Sequence, residues 1–289
     1  LSFSLNAADD TTELDPVIVS ATRWDAFGVS TANSISVITH EDIQNSGATN
    51  VTDVLRGQGA VQIADLYGDG SRSTVSMRGF GANAQSNTLI MVDGRRLNNT
   101  DLRAPDLSTI SLKDVERIEI IQGSSTVLFG DQAVGGVINI ITRRQSDKKV
   151  EVSGAYGSYD KQSQSIIVND RFASGFSYRL TGQRLLSNNY RDNNDRTYTN
   201  AFANVDYQWG RGNAFFEFQR VDEDLELPGG LFIDQVKADR KQTRFPDDFN
   251  GTETEIGRIG STFDLSHEWQ VRAEFTNRRE NIDGIIFTN

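Results

Sequence analysis

The sequence predicts an α+β domain followed by antiparallel strands of a transmembrane β-barrel, and three observations support this fold class. Helix-capping residues and short apolar stripes alternate with β-rich runs between residues 34 and 147. From residue 148 onward, apolar and polar residues alternate with a period of two. The connections between these alternating segments are short and long in turn, as they are in an up-and-down barrel.

Composition excludes several classes of function. The chain has 289 residues and a formal net charge of -11, and its Lys and Arg residues are dispersed among more numerous acids, which argues against nucleic-acid binding. No apolar run approaches the roughly 20 residues of a spanning helix, so only strands could cross a bilayer. Cysteine is absent and the two histidines, His40 and His267, lie far apart. We therefore predict no metal site, no resident cofactor and no enzymatic activity.

The N-terminal part of the chain is expected to precede the folded domain. Residues 1–8 resemble the end of a signal peptide, because a short apolar run finishes in small residues before two acids. An unfolded mature terminus is the alternative. Residues 9–33 are polar apart from the apolar island Val17, Ile18 and Val19, which is too short to fold alone.

Residues 34–147 carry the signals of a compact α+β domain. Thr39 and Asp42 have the spacing of a capping box, and Asn50 precedes a second short helix. A further capping box is predicted at Ser111 and Asp114. Strands are predicted around residues 35–38, 89–92, 117–121 and 136–141, and the domain is large enough to bury a core.

Residues 148–289 are predicted to form about seven amphipathic strands. They lie near 148–157, 161–170, 175–187, 197–209, 213–222, 255–266 and 268–280. A soluble sandwich would show the same alternation, so the connections decide between the two architectures. The connections after the second, fourth and sixth strands are tight and those after the third and fifth are long, as in barrels with periplasmic turns and outer loops. Trp209 and Trp269 lie beside tight turns, where an interfacial aromatic girdle is expected.

Seven strands cannot close the predicted barrel. A lumen that holds a domain of about 110 residues belongs to the class of 22-stranded barrels with a plugged lumen. At about 10 residues per strand, such a barrel needs roughly 220 residues of strand alone. We therefore expect the chain to hold only the first strands of a longer barrel.

Four groups of residues, in this order and spacing, resemble the TonB-dependent outer-membrane receptors. They are Asp15–Thr22, which is similar to a TonB box, Met77–Gly81, Val92–Arg95 and Val115–Thr142. The resemblance covers nearly the whole of residues 34–147, which correspond to the plug domain of this family. The later strands match only in their alternation of apolar and polar residues.

The resemblance implies an importer in the outer membrane of a Gram-negative bacterium, in contact with outer-membrane lipid and lipopolysaccharide. Its TonB box would add as a strand to TonB, which supplies energy together with its inner-membrane complex. The residues of this box are Asp15, Pro16, Val17, Ile18, Val19, Ser20, Ala21 and Thr22. The implied ligand is a scarce nutrient, most often a ferric siderophore or another iron complex. Haem, cobalamin, a copper complex or another cofactor are alternative ligands, and a signalling receptor is an alternative function.

The resemblance also suggests individual site residues. Arg78 and Arg117 resemble plug arginines that meet barrel carboxylates, with ordinary surface arginines as the alternative. Ligand contacts are predicted for Tyr67, Arg72, Phe80 and Gln85 in the plug and for Phe232, Arg240 and Arg244 in the longest loop. Aromatic and basic groups suit an anionic metal chelate, although a loop facing lipopolysaccharide would look the same. The run Asp192–Asp195 resembles half a calcium loop but lacks the Gly and terminal Glu of an EF-hand.

Overall fold

A computed structural model of the protein describes residues 34–99, 103–143, 148–266 and 269–286. The predicted signal-peptide remnant 1–8 and the extension 9–33 with its TonB box lie outside the described residues. The chain divides into two compact units. Of the described residues, the first unit holds 34–66, those of Ser73–Pro105 and Val115–Thr142, and the second holds Tyr67–Arg72, Asp106–Asp114 and those from Arg143 to 286.

The first unit is built on a five-stranded sheet with the order β1-β6-β7-β4-β5. Strands β4 and β7 run parallel, whereas the other neighbours in this sheet are antiparallel. Strands β2 and β3 form a separate antiparallel pair. The elements are β1 (Ser34–Thr39), α1 (His40–Asn45), α2 (Val51–Arg56), β2 (Val61–Asp65), β3 (Ser73–Met77), β4 (Thr88–Val92), β5 (Arg95–Arg96), β6 (Val115–Gln122), α3 (Thr126–Phe129) and β7 (Gly136–Thr142).

Local capping chemistry starts both N-terminal helices where the sequence predicts. Thr39 and Asp42 form the predicted capping box, and hydrogen bonds from Thr39 lower the pKa of Asp42. The side chain of Asn50 accepts a hydrogen bond of 2.8 Å from the backbone N–H of Asp53. These short helices accompany a sheet whose central strands β6 and β7 are largely buried, with Ile118, Ile120, Ile138 and Ile140 in the core.

The second unit contains a seven-stranded antiparallel sheet in which each strand pairs with its neighbours in sequence. Its strands are β8 (Lys149–Tyr156), β9 (Gln162–Arg171), β10 (Phe176–Ser187), β11 (Arg196–Trp209), β12 (Gly212–Glu226), β13 (Phe249–Asp264) and β14 (Gln270–Ile285). The seven predicted strands are confirmed. The connection between β12 and β13 is shorter than predicted. The two strands remain paired as far as Glu226 and Phe249, so both are longer than expected and fewer residues are left for the loop.

The two faces of this sheet differ in chemistry. Phe216 and Phe218 of β12, Ile259 of β13 and Phe275 of β14 are exposed on one face. The opposite face buries polar side chains, including Asn200, Gln219, Thr254 and Arg258. Because successive side chains on a strand point to opposite faces, the period-two alternation in the sequence produces this division directly.

The connections follow the predicted alternation of length. Residues 210–211 join β11 to β12 directly, whereas residues 188–195 and 227–248 form long loops, the second with a short helix α4 (Ile233–Ala238). Aromatic side chains gather at the short turns, where Tyr207 stacks on Trp209 with ring centroids 5.9 Å apart. No helix within the described residues is long and apolar enough to cross a membrane.

In the sheet of the first unit, Gly136 has no space for a side chain. A Cβ atom at this position would lie 2.6 Å from the carbonyl oxygen of Ile121 and 2.7 Å from Sδ of Met77. We predict that Gly136→Ala lowers the stability of the first unit by about 1–3 kcal/mol through overpacking. Hydrogen exchange of the β6 and β7 amides in the full-length protein measures the change, with Gly59→Ala, which meets open space, as the control. Equal protection in both variants would contradict the prediction.

Candidate functional site

A buried ionic cluster is the main concentration of charge that the structure describes in the second unit. It comprises Asp69, Arg72, Asp106, Arg196, Glu223 and Glu280. The segments Tyr67–Arg72 and Asp106–Asp114, called the paired segments below, meet through a β-bridge between Arg72 and Asp106 and a 2.9 Å hydrogen bond from Leu107 N to Ser71 O. The cluster fastens the paired segments to the polar face of the seven strands.

Arg196 is the centre of one half of the cluster. Its guanidinium donates to Oε1 of Glu223 on the neighbouring strand β12, at 2.9 Å from Nε and 2.5 Å from Nη2. Nη2 also lies 3.6 Å from Oδ2 of Asp69, in the first paired segment. The three side chains are nearly enclosed, with 16 %, 4 % and 5 % of their surfaces exposed. Loss of either carboxylate contact would leave a charge without water around it, which is costly.

Arg72 is the centre of the other half. It forms an ion pair with Glu280 of β14, and its Nη2 lies 3.6 Å from Oδ2 of Asp106. Burial alone would lower the pKa of the Arg72 guanidinium, but the Asp106 and Glu280 carboxylates raise it above its ordinary value. Contact between this guanidinium and a ligand, as the sequence predicts, would require one of these pairs to open.

The second paired segment makes further contacts with the strands. Oδ1 of Asp114 accepts hydrogen bonds from Arg179 at 2.5 Å and from Thr181 at 3.1 Å. Tyr198 donates to the carbonyl of Ser108 at 2.9 Å, and Gln219 donates to that of Thr109 at 2.8 Å. Polar side chains of three successive strands thus hold this segment.

The predicted helix cap at Ser111 and Asp114 is wrong. The chain forms only a short 3-10 turn at Leu112–Asp114. Both side chains are used elsewhere, since Ser111 Oγ accepts a 2.6 Å hydrogen bond from Gln183 and Asp114 pairs with Arg179. Tertiary contacts with the strands have replaced the local cap.

Arg117 has an ion-pair partner on its own strand. Its Nε lies 2.8 Å from Oε1 of Glu119, a fully buried carboxylate that also accepts a 3.3 Å hydrogen bond from Asn139. Arg78 is exposed at φ 53° in the turn after β3 and has no ion pair within the described residues. For both arginines, the predicted contact with a barrel carboxylate stays a prediction.

The predicted ligand residues Tyr67, Phe80 and Gln85 have different surroundings. Tyr67 lies with its hydroxyl 3.5 Å from Oδ1 of Asn250, and burial raises the pKa of this phenol. Gln85 donates to the hydroxyl of Thr74 at 3.2 Å, and Phe80 is partly buried at the start of a 3-10 turn. No contact among these residues distinguishes a ligand site, so their roles stay predictions.

The longest loop brings together two of its three predicted ligand residues. The guanidinium carbon of Arg244 lies 4.4 Å from the ring centroid of Phe232 and 5.0 Å from that of Phe245, as in cation–π pairs. Phe232 is 64 % exposed, so one side of this group is open to solvent. Arg240 is exposed in the same loop. Among the described residues, no group of three or more His, Cys, Asp or Glu is placed to hold a metal ion.

Comparison with known proteins finds one matching family model and several curated relatives. Residues 29–137 match the family model of the TonB-dependent receptor plug domain. The vitamin B12 transporter BtuB of Vibrio cholerae is 34 % identical over 177 residues, which cover 61 % of this chain and 28 % of that protein. The chain thus spans less than a third of the curated relatives that it matches.

Solved structures extend the similarity to the strands. The ferric citrate transporter FecA in its unliganded form superimposes with a TM-score of 0.78 at 21 % identity, over 90 % of this chain and 41 % of that chain. The ferric yersiniabactin uptake receptor FyuA of Yersinia pestis gives 0.73 at 17 % identity, over 87 % and 41 %. At these identities the likeness shows the fold alone, and it confirms the predicted plug followed by antiparallel barrel strands.

Because Arg196 is buried, its loss should cost more than that of Arg220, an exposed arginine with three carboxylate partners. We predict that Arg196→Ala destabilises the paired segments by an amount on the order of 3–5 kcal/mol, because Glu223 and Asp69 stay buried without it. Arg220 contacts Asp222, Glu253 and Glu255 but is exposed, so Arg220→Ala should have little effect. The measurement is hydrogen exchange at Leu107 in the full-length protein. A similar change in both variants would contradict this assignment.

Removal of Arg117 should destabilise the first unit, because its partner Glu119 is buried. We predict that Arg117→Ala destabilises the first unit by about 2 kcal/mol, since the fully buried Glu119 loses its ion pair with Arg117. Adding Glu119→Gln should restore part of that loss, because a neutral amide tolerates burial better. A double-mutant cycle on the unfolding free energy tests this coupling. Additive effects of the two substitutions would show that the pair contributes nothing.

Proposed function

We propose, from the premise that this chain carries the plug domain of the TonB-dependent receptors followed by strands of their barrel, that the protein imports a scarce nutrient across the outer membrane of a Gram-negative bacterium. TonB and its inner-membrane complex are the proposed energy source. We assign the protein no catalytic step, and we propose that further strands complete the barrel.

The buried ionic cluster is the observation that supports energy-coupled transport best. The polar face of the strands is occupied by the paired segments through Arg72, Arg196 and their carboxylates. Breaking such enclosed pairs costs several kcal/mol, which a ligand diffusing down its gradient does not readily supply. A pathway closed in this way would need an external source of work.

The division of the seven-stranded sheet into two faces supports the proposed location. The exposed face carries Phe216, Ile259 and Phe275, which suit contact with lipid chains. The buried polar face suits a wet or plugged lumen. Outer-membrane lipid and lipopolysaccharide are therefore proposed neighbours of the exposed face and of the long loops.

For the ligand we propose a metal chelate, with a ferric siderophore or another iron complex first. The exposed pair of Phe232 and Arg244 offers an aromatic face and a positive charge, which suit an anionic chelate with unsaturated groups. Cobalamin is a second candidate, favoured by the 34 % identity to a vitamin B12 transporter over 61 % of the chain.

Uptake by cells that lack their own receptors distinguishes the two ligand classes. Cells expressing the full-length protein would be supplied with radiolabelled ferric chelates or with labelled cyanocobalamin. Accumulation of iron supports the first candidate and accumulation of cobalt supports the second. Accumulation of neither label in cells with intact TonB would count against both.

The proposed TonB box gives a test of coupling. We predict that Ile18→Pro abolishes uptake while ligand binding to whole cells stays near that of the parent, since Pro lacks the N–H that strand addition to TonB needs. Ile18→Val is the control, because it keeps a β-branched residue and its N–H. Equal loss of binding and uptake in Ile18→Pro would mean that this segment has a structural role instead.

A further inference from the structure

The two long loops of the second unit are joined by one arginine. Arg191, in the loop 188–195, donates from Nη1 to the carbonyl of Gly229 at 2.5 Å, and from Nη2 to that of Gln242 at 2.7 Å. A longer contact of 3.3 Å reaches the carbonyl of Pro228. These carbonyls lie on both sides of α4, so a single guanidinium closes the loop 227–248 around its helix.

The residues after Arg191 strengthen the same junction. The backbone N–H of Asp192 donates to the carbonyl of Lys241 at 2.7 Å. The side-chain amide of Asn193 donates to the carbonyls of Phe245 at 2.7 Å and Asp248 at 3.0 Å. Asn193 has φ 54°, a left-handed conformation that asparagine tolerates better than most residues. The junction therefore spans the loop 227–248 from its beginning to its end.

The chemistry at this junction requires an arginine. The guanidinium of Arg191 donates to the backbone carbonyls of Pro228, Gly229 and Gln242, and no carboxylate within the described residues lies at ion-pair distance from it. Burial lowers the pKa of Arg191, while its neighbour Asp192 favours the charged form. A planar guanidinium presents several N–H groups in a fixed fork, whereas a lysine ammonium is a single point that cannot reach these separate carbonyls equally well.

The junction fixes the positions of the aromatic and basic side chains in the loop 227–248. Arg244 lies between Phe232 and Phe245, and its backbone N–H donates to the carbonyl of Pro228 at 3.0 Å. Pro228 is itself held by Arg191. Lys241 lies 5.9 Å from the ring centroid of Tyr190 in the other loop. A change at Arg191 would therefore displace side chains that it does not touch.

We propose that Arg191 is a positioning residue that joins the loops 188–195 and 227–248 into one preassembled surface before any ligand arrives. The surface presents Phe232 and Arg244 in a fixed arrangement. Its use for an anionic ligand rests on the proposed function, whereas the joining of the loops does not. A ligand would then meet a formed surface on this side and would not have to order it.

Distance measurements between spin labels in the full-length protein, in lipid and without ligand, test this proposal. These 289 residues contain no cysteine; once any cysteine elsewhere in the full-length protein is replaced by serine, Thr197→Cys at the start of β11 and Lys237→Cys in α4 give two exposed labelling sites. We predict one narrow distance distribution in the parent and at least a twofold greater width in Arg191→Ala. Arg191→Lys should be intermediate. Arg240→Ala, an exposed arginine of the same loop, is the matched control and should leave the width unchanged.

Two results would overturn the proposal, namely a broad distribution in the parent or an Arg191→Ala distribution as narrow as the parent's. If Arg191→Ala fails to fold, Asn193→Gly decides, because glycine keeps the positive φ and removes only the amide contacts. Broadening in Asn193→Gly supports the junction, and an unchanged width refutes it. A narrow parent distribution in a protein that imports nothing would count against the proposed function alone.

Discussion

Successive side chains on a β-strand point to opposite faces, and the rest of the second unit depends on this constraint. In β12 and β13, for example, it places the exposed Phe216, Phe218 and Ile259 on one face and the buried Gln219, Thr254 and Arg258 on the other. The same constraint fixes which residues can meet across strands. Arg196 and Glu223 share a face on adjacent strands, so their ion pair follows once the register is set.

A polar face of this kind needs partners for its charges, and the paired segments supply them. Arg72 and Asp69 come from one segment and Asp106 and Asp114 from the other, and each pairs with a charge on a strand or on the other segment. Enclosure makes these contacts strong, because a buried charge that loses its partner has no water to replace it. Opening these contacts would therefore need energy from outside, and the proposed coupling to TonB would supply it.

Local features were predictable from the sequence because their causes are local. The caps at Thr39 and Asn50, the strands and the alternation of loop lengths depend on residues within a few positions of each other. The cap predicted at Ser111 and Asp114 failed because distant strands bind both side chains. Arg117 and Glu119 are two apart on one strand and share a face, so a signal for their pairing was present in the sequence.

The ionic cluster could not have been predicted in the same way. Asp69 and Arg196 meet only because the sheet brings them together, and nothing near either residue in sequence marks the other. The charged residues of the polar face were visible as the polar half of the alternation, but which charge meets which depends on register and on the path of the paired segments. The identity of the ligand is even harder to predict from the sequence, because it depends on loops as well as on strands.

The central claim is that alternation divides a lipid-facing surface from an enclosed polar one. A nitroxide scan along β12 from Ala214 to Gln219, in the full-length protein in a bilayer, tests it most directly through accessibility to oxygen, which concentrates in lipid. We predict high accessibility at Ala214, Phe216 and Phe218 and low accessibility at Phe215, Glu217 and Gln219. A profile without a period of two, or one with the two sets reversed, would contradict the account.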